Sequence, residues 1–253
     1  MTAMQQVPVG AATVAAPSHR MLNPFIAVVA VAGALLAATS LSQVRPGVVL
    51  ALEAACLAAA IAEAFRLTVG TRTINVSPSI GIIVAVLVAL GPAAAVVVAI
   101  SGPLAAGFYP RIRPLRKTVF NCGLYAVSAG AAGAVSSVLG SSLATAAPLA
   151  REMIQAQAGL ITYLVANWGL LSIVLWLSAN RAPSQTWRED LRWLMGPLEV
   201  TGVIGALVGI NYVHLGWPGA ILCLVPLVGV RHVLRLEIIK RALGAGLGPA
   251  AAP

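Results

Sequence analysis

The chain has 253 residues, 59% of them hydrophobic and 9% charged, with a mean hydropathy of +0.93. A soluble domain carries roughly 25% charged residues, so composition excludes a water-covered globular fold and points to an integral membrane protein. The net charge of +9 does not imply nucleic acid, because the basic loops are short and bounded by apolar runs; it fits cationic cytoplasmic loops beside anionic lipids.

Residues 1–20 are rich in Ala, Val, Pro and Thr without periodicity and read as a disordered cytoplasmic tail. The apolar run that follows, Leu22 to Leu41, is longer than a signal-peptide core and lacks a clean A-x-A site, so it reads as a retained anchor. A helix needs about 20 apolar residues to cross a bilayer, and further runs of that kind occupy Gly47 to Phe65, Thr118 to Gly140, Gly159 to Leu177, Leu194 to His214 and Gly219 to Leu236. Residues 21–240 are therefore expected to form an all-α polytopic bundle, with a flexible tail over 241–253.

The stretch from Ser79 to Tyr109 is too long for one helix and short for two, and Gly91-Pro92 and Gly102-Pro103 interrupt it. A Gly-Pro pair breaks the helical ladder, which predicts a tight hairpin near Gly91 and seven to eight membrane segments. Charge supports the hairpin. It puts both termini in the cytoplasm and leaves only Arg45 and Arg151, of sixteen Lys and Arg residues, outside. A single crossing would instead move Arg20, Arg66 and Arg72 outside and Arg45 inside. The segment before Gly91 is short enough to be tilted, re-entrant or shielded by neighbours.

Between these runs, "YPRIRPLRKTVFN" concentrates Arg111, Arg113, Arg116 and Lys117 beside Tyr109. These four cations read as a topological anchor on lipid headgroups, and Asn121 enters the membrane one turn beyond them. Further on, Thr186 and Glu189 have capping-box spacing, and Trp187, Leu191 and Leu194 recur at helical spacing, which predicts a short amphipathic helix along the interface.

Few polar groups fall within the apolar runs, and such groups are functional candidates because they are expensive there. Glu53 lies about two turns into the second run, and Glu199 follows Pro197 near a helix start. Glu63 precedes Arg66 by three residues, the spacing of a local ion pair. Asn121, Asn167 and Asn211, with Tyr125, Tyr163 and Tyr212 nearby, could line a polar pocket or hydrogen-bond between helices. Glu53, Asn121, Asn167, Glu199 and Asn211 are thus the candidate ligand-binding set. Gly202, Gly205 and Gly209 include a GxxxG that permits close packing within one subunit or between two.

No HExxH, GxxxxGK[ST] or GxSxG motif and no closely spaced carboxylate pair is present, so no enzyme, metal or cofactor is expected. Cys56, Cys122 and Cys223 sit in apolar runs without a CxxC and read as core residues, not a disulfide frame.

The order of a basic run, "KTVFNCGLYAVSAGAAGAV", "LITYLVANWGLLSIVLWL", "TWREDLRWL" and "VTGVIGALVGINYVHLGWPGAILCLVPLVGVRHVLRLEI" resembles the N-terminal multi-helix membrane module of bacterial signalling proteins. In that group it precedes an HD-type phosphohydrolase (HD-GYP) or diguanylate cyclase (GGDEF) domain. The resemblance covers roughly Ser79 to Ile239 and implies a sensory or scaffold module in the bacterial inner membrane, with membrane lipids and a cytoplasmic signalling protein or a homo-oligomer as partners. The 253 residues carry no HD or cyclase motif, so neither activity is implied for them. The alternative is a small solute transporter, or the substrate-binding subunit of one, with Glu53 and the asparagines in a central pocket formed partly by the Gly-Pro breaks.

Overall fold

The computed structural model describes residues 19–64, 67–69, 74–76, 79–109, 112–179, 181–188 and 195–244; beyond Ile221 the only side chain described is Leu236. The apolar runs fold as α1 (Leu22–Gln43), α2 (Val49–Ala64), α3 (Ser79–Ala89), α4 (Pro92–Phe108), α5 (Leu115–Ser142) and α6 (Pro148–Ala179). A single turn, α7 (Pro183–Thr186), and α8 (Met195–Gly244) follow. Among the described residues the bundle is all-α except for one antiparallel hairpin of three-residue strands, β1 (Leu67–Val69) and β2 (Ile74–Val76), in which Leu67 pairs with Val76. Five helical stretches are long and apolar enough to cross a membrane, and α3 and α4 are shorter apolar helices. The chain is a multi-pass membrane protein.

The difficult stretch is a helical hairpin. Gly91 takes φ 92° and ψ 177°, a combination open essentially only to glycine, and Pro92 then opens α4 where its missing N–H costs nothing. The second pair does not interrupt the chain as the sequence suggests, because Pro103 lies inside α4 and the helix continues to Phe108. Membrane helices tolerate such a proline when nearby hydroxyls and helices satisfy the disturbed backbone. Next to this proline, Ser101 Oγ lies 2.7 Å from the Val98 carbonyl oxygen and 3.2 Å from that of Cys56, a polar contact that ties α4 to α2.

With 11 residues, α3 is about 16 Å long and cannot span a hydrocarbon core of about 30 Å. It does not need to. It packs against α2, α4, α6 and α8, and eight of its residues, from Ser79 to Leu87, are buried. Of the options its length leaves open, shielding by neighbours is observed. Apolar side chains gain little by exchanging lipid for protein, so helices in membranes associate through close backbone approach. Gly205 of α8 rests on the Gly81 carbonyl of α3, a Cβ at Gly209 would lie 2.5 Å from the Ala85 carbonyl oxygen, and Gly33 of α1 meets Gly123 of α5. The GxxxG glycines therefore serve packing within one chain. Large side chains such as Leu35, Leu50, Leu57 and Val165 face outward, as a bilayer requires.

At Gly216, φ 67° and ψ −154° interrupt α8. The helix is kinked there, and a Cβ at Gly219 would lie 2.8 Å from the Asn211 carbonyl oxygen. The two limbs correspond to the last two apolar runs. The second continues through Gly244, so residues 241–244 are helical instead of belonging to a flexible tail; residues 1–18 and 245–253 lie outside the described residues. Of the predicted capping box only Thr186 is described, since Glu189 lies outside the described residues. Thr186 ends α7, whose N-cap is Ala182, and it is fully buried. Most of the amphipathic segment, Glu189 to Leu194, lies outside the described residues.

Candidate functional site: a polar cavity at the end opposite the basic loop

The five candidate ligand-binding residues do not converge. Glu53 is exposed on the outside of α2. Asn121 is half-buried on α5, beside buried Phe120. Asn167 of α6 holds an Nδ2 shut off from solvent without a hydrogen-bond partner, whereas Asn211 Nδ2 donates to the Leu207 carbonyl one turn back on its own helix, at 2.8 Å. Glu199 Oε1 accepts from Gln157 Nε2 at 3.2 Å on the exposed seam of α6 and α8. The tyrosines pair with aromatic rings. Tyr125 and Tyr163 meet edge to face at 6.3 Å in the core, and Tyr212 meets Trp217 at 5.3 Å.

The buried carboxylate is a different one. Glu63 is 3% exposed and its Oε1 accepts from Ser79 Oγ at 3.0 Å. Arg66, its expected local partner, lies outside the described residues. Ser79 is the first residue of α3, where backbone N–H groups lack helical partners and the macrodipole is positive, so an acid is favoured there. Gly102 of α4 makes room, since a Cβ on it would come within 2.7 Å of Glu63 Cγ. This arrangement secures the start of the central helix.

Two cavities flank that helix. The first, about 160 Å³, is an apolar cleft between α2, α3 and α8, with Ala51, Ala55, Ala85 and Gly209 along it and Tyr212 and Trp217 at its edge. It offers little to orient a polar ligand. The second, about 190 Å³, lies beside the Gly91 turn and has Leu87, Val88, Pro92 and Ala156 as its apolar part. Its polar part comes from α5 and α6: Ser136, Ser137, Glu152 and Gln155.

Local hydrogen bonding fixes that wall. Gln155 Nε2 donates to the Ser136 carbonyl oxygen at 3.0 Å, and Ser136 Oγ donates to the Gln155 carbonyl oxygen at 2.9 Å, a reciprocal clamp between α5 and α6. Ser137 Oγ donates to the Gly133 carbonyl oxygen at 2.8 Å. His214, two residues before the Gly216 kink, holds Glu152 Oε2 at 3.1 Å through Nε2. Its side chain is half exposed and that of Glu152 one-fifth exposed, so the pair forms the rim on the side of α8. Among the described residues, no third Asp, Glu, His or Cys joins them in a metal-binding group.

Sequence inspection did not single out Glu152 and Gln155, because hydropathy starts the fourth clear run only at Gly159. The helix begins eleven residues earlier, at Pro148. Their i,i+3 spacing on one helical face was the available signal.

At the other end of the bundle, Arg116 and Lys117 occupy the first turn of α5 and are exposed, and Arg113 precedes them half-buried; Arg111 lies outside the described residues. Cations at a helix N-terminus work against the macrodipole by about 0.3–1 kcal/mol each, so their placement has no local helical reason and suits headgroup anchoring. Asn121 is one turn further in. Asn121→Leu is therefore expected to keep the parent orientation in cysteine-accessibility labelling of intact cells; an inverted labelling pattern would show that the amide takes part in anchoring.

No family model matches the chain, and neither a curated protein nor a solved structure matches it.

Proposed function

We propose that the chain is a membrane sensory module with both termini in the cytoplasm, which takes a small solute into the cavity beside Glu152 and couples its occupancy to a cytoplasmic signalling partner at the basic end. What supports this is one arrangement. The cavity's polar groups sit on α5 and α6, with His214 of α8 on Glu152 at the rim, and α6, with 32 residues and about 48 Å long, runs from the cavity to the basic end. A solute that repositions the Glu152–His214 contact would shift elements that a partner across the membrane can touch. The resemblance of the basic, Asn-bearing and interfacial stretches to bacterial signalling modules points the same way.

Carriage calls for polar groups that converge on a pocket between the two faces. The dispersal of Glu53, Asn167 and Asn211, with Asn211 bonded to its own helix, weighs against it. Native mass spectrometry after mild extraction from native membranes tests the proposal. The expected result is the chain with a small-molecule adduct and a bound signalling protein, and Glu152→Gln should lose the adduct. A chain that emerges alone, or an adduct that survives Glu152→Gln, would overturn it.

A further inference from the structure

The hydrogen-bond inventory of the cavity sets the chemistry of what it can hold. Each hydroxyl has one proton to give. Ser136 spends its proton on the Gln155 carbonyl oxygen and Ser137 on that of Gly133, so both present only lone pairs. Gln155 uses one N–H on the Ser136 carbonyl, and its amide nitrogen is packed onto Gly140, in space that a side chain there would fill. Its Oε1 has no hydrogen bond among the described residues. With the imidazole proton on Nε2, His214 donates to Glu152 Oε2, which leaves Glu152 Oε1 as an acceptor. Apart from the second Gln155 N–H, which lies on the side packed against Gly140, the wall offers acceptors: two hydroxyl oxygens, one amide oxygen and one carboxylate oxygen. Arg151 lies one turn from Gln155 on α6 but is not one of the residues that line the cavity.

Size narrows the class. At about 190 Å³ the cavity far exceeds the roughly 10–15 Å³ one water requires, but it falls below the roughly 300–1,000 Å³ of pockets for drug-sized ligands. The apolar floor of Leu87, Val88 and Pro92 suits a short hydrocarbon stub. We infer that the site takes a small cation bearing N–H donors, of the ammonium or primary-amine class, with its charge on Glu152 and its donors shared among Gln155, Ser136 and Ser137. This rests on the cavity being the solute site of the proposed sensor.

The test is thermal unfolding of the full chain in lipid nanodiscs titrated with methylammonium chloride. Tetramethylammonium chloride, of equal charge but without donors, and sodium chloride serve as comparison salts. Methylammonium is expected to raise the unfolding midpoint in a concentration-dependent way, since ligands that bind only the folded state stabilise it, and the comparison salts should not. Glu152→Gln should weaken the apparent affinity by about tenfold or more, the value of one charge-assisted hydrogen bond. Ser137→Ala, which alters only a hydroxyl at the wall, should weaken it by a smaller factor and covers the case in which Glu152→Gln does not fold. Equal shifts with all three salts, no shift with methylammonium, or affinity unchanged in both variants would overturn the inference. If methylammonium fails while the native adduct is still lost in Glu152→Gln, the cation class is wrong and the site stands; if both fail, the site falls too.

Discussion

Gly205→Leu is expected to prevent the bundle from closing. Gly205 of α8 lies on the Gly81 carbonyl of α3, and the obstacle to a side chain is backbone within a buried helix, not the end of a flexible chain. Overpacking that neighbours can absorb costs about 1–3 kcal/mol. Here α3 is held on its other sides by α2, α4 and α6, so the cost lies at or above the upper end of that range. The midpoint of thermal unfolding in detergent should fall by on the order of 10 °C. Gly169→Leu is the matched control: it also adds an apolar side chain to a helix, but nothing lies within 4 Å of the new Cβ, and its midpoint should stay close to that of the parent. Equal losses in both variants would show that the Gly205 approach has no special weight.

Glu63→Ala and Glu63→Gln should separate by a wide margin. Alanine removes the acceptor of the Ser79 hydroxyl in a buried site. A hydrogen bond of this kind contributes about 0.5–1.5 kcal/mol, and the space vacated beside Gly102 adds a cavity cost. Glutamine keeps an oxygen where Oε1 stands and nearly the same volume, so it should retain most of the stability. The check is denaturant unfolding of the two variants in micelles. If Gln proved as damaging as Ala, the negative charge at the start of α3, and not the hydrogen bond, would be the stabilising part.

The sequence made the membrane class and the Gly91 hairpin legible, because both depend on local chemistry: long apolar runs, and a Gly-Pro pair that leaves the helix few options. The β-hairpin was legible in principle, since Leu67, Val69, Ile74 and Val76 alternate with Thr68 and Asn75, but three-residue strands do not stand out beside long apolar runs. Pro103 misled because its neighbours decide whether a proline breaks a helix. The candidate site was legible least. Glu53 and Glu63 are both acids in one apolar helix, and only the positions of α3 and α4 make the second buried and the first exposed. Glu152 and Gln155 escaped notice because hydropathy marks the part of a helix that lipid covers, whereas the cavity forms where α6 rises past it.

The shielding of α3 has a consequence for biosynthesis. A chain emerges from the ribosome N-terminus first, so α2 and α4 are available to α3 early, whereas the wall supplied by Gly205 and Gly209 is made more than a hundred residues later. Until then one side of a helix too short to span the bilayer lacks its final neighbour. Its insertion therefore cannot be completed segment by segment. The last long helix acts as the closing piece of the assembly, and a nascent chain arrested before Gly205 would expose the Gly81 and Ala85 face to lipid and to quality-control proteases.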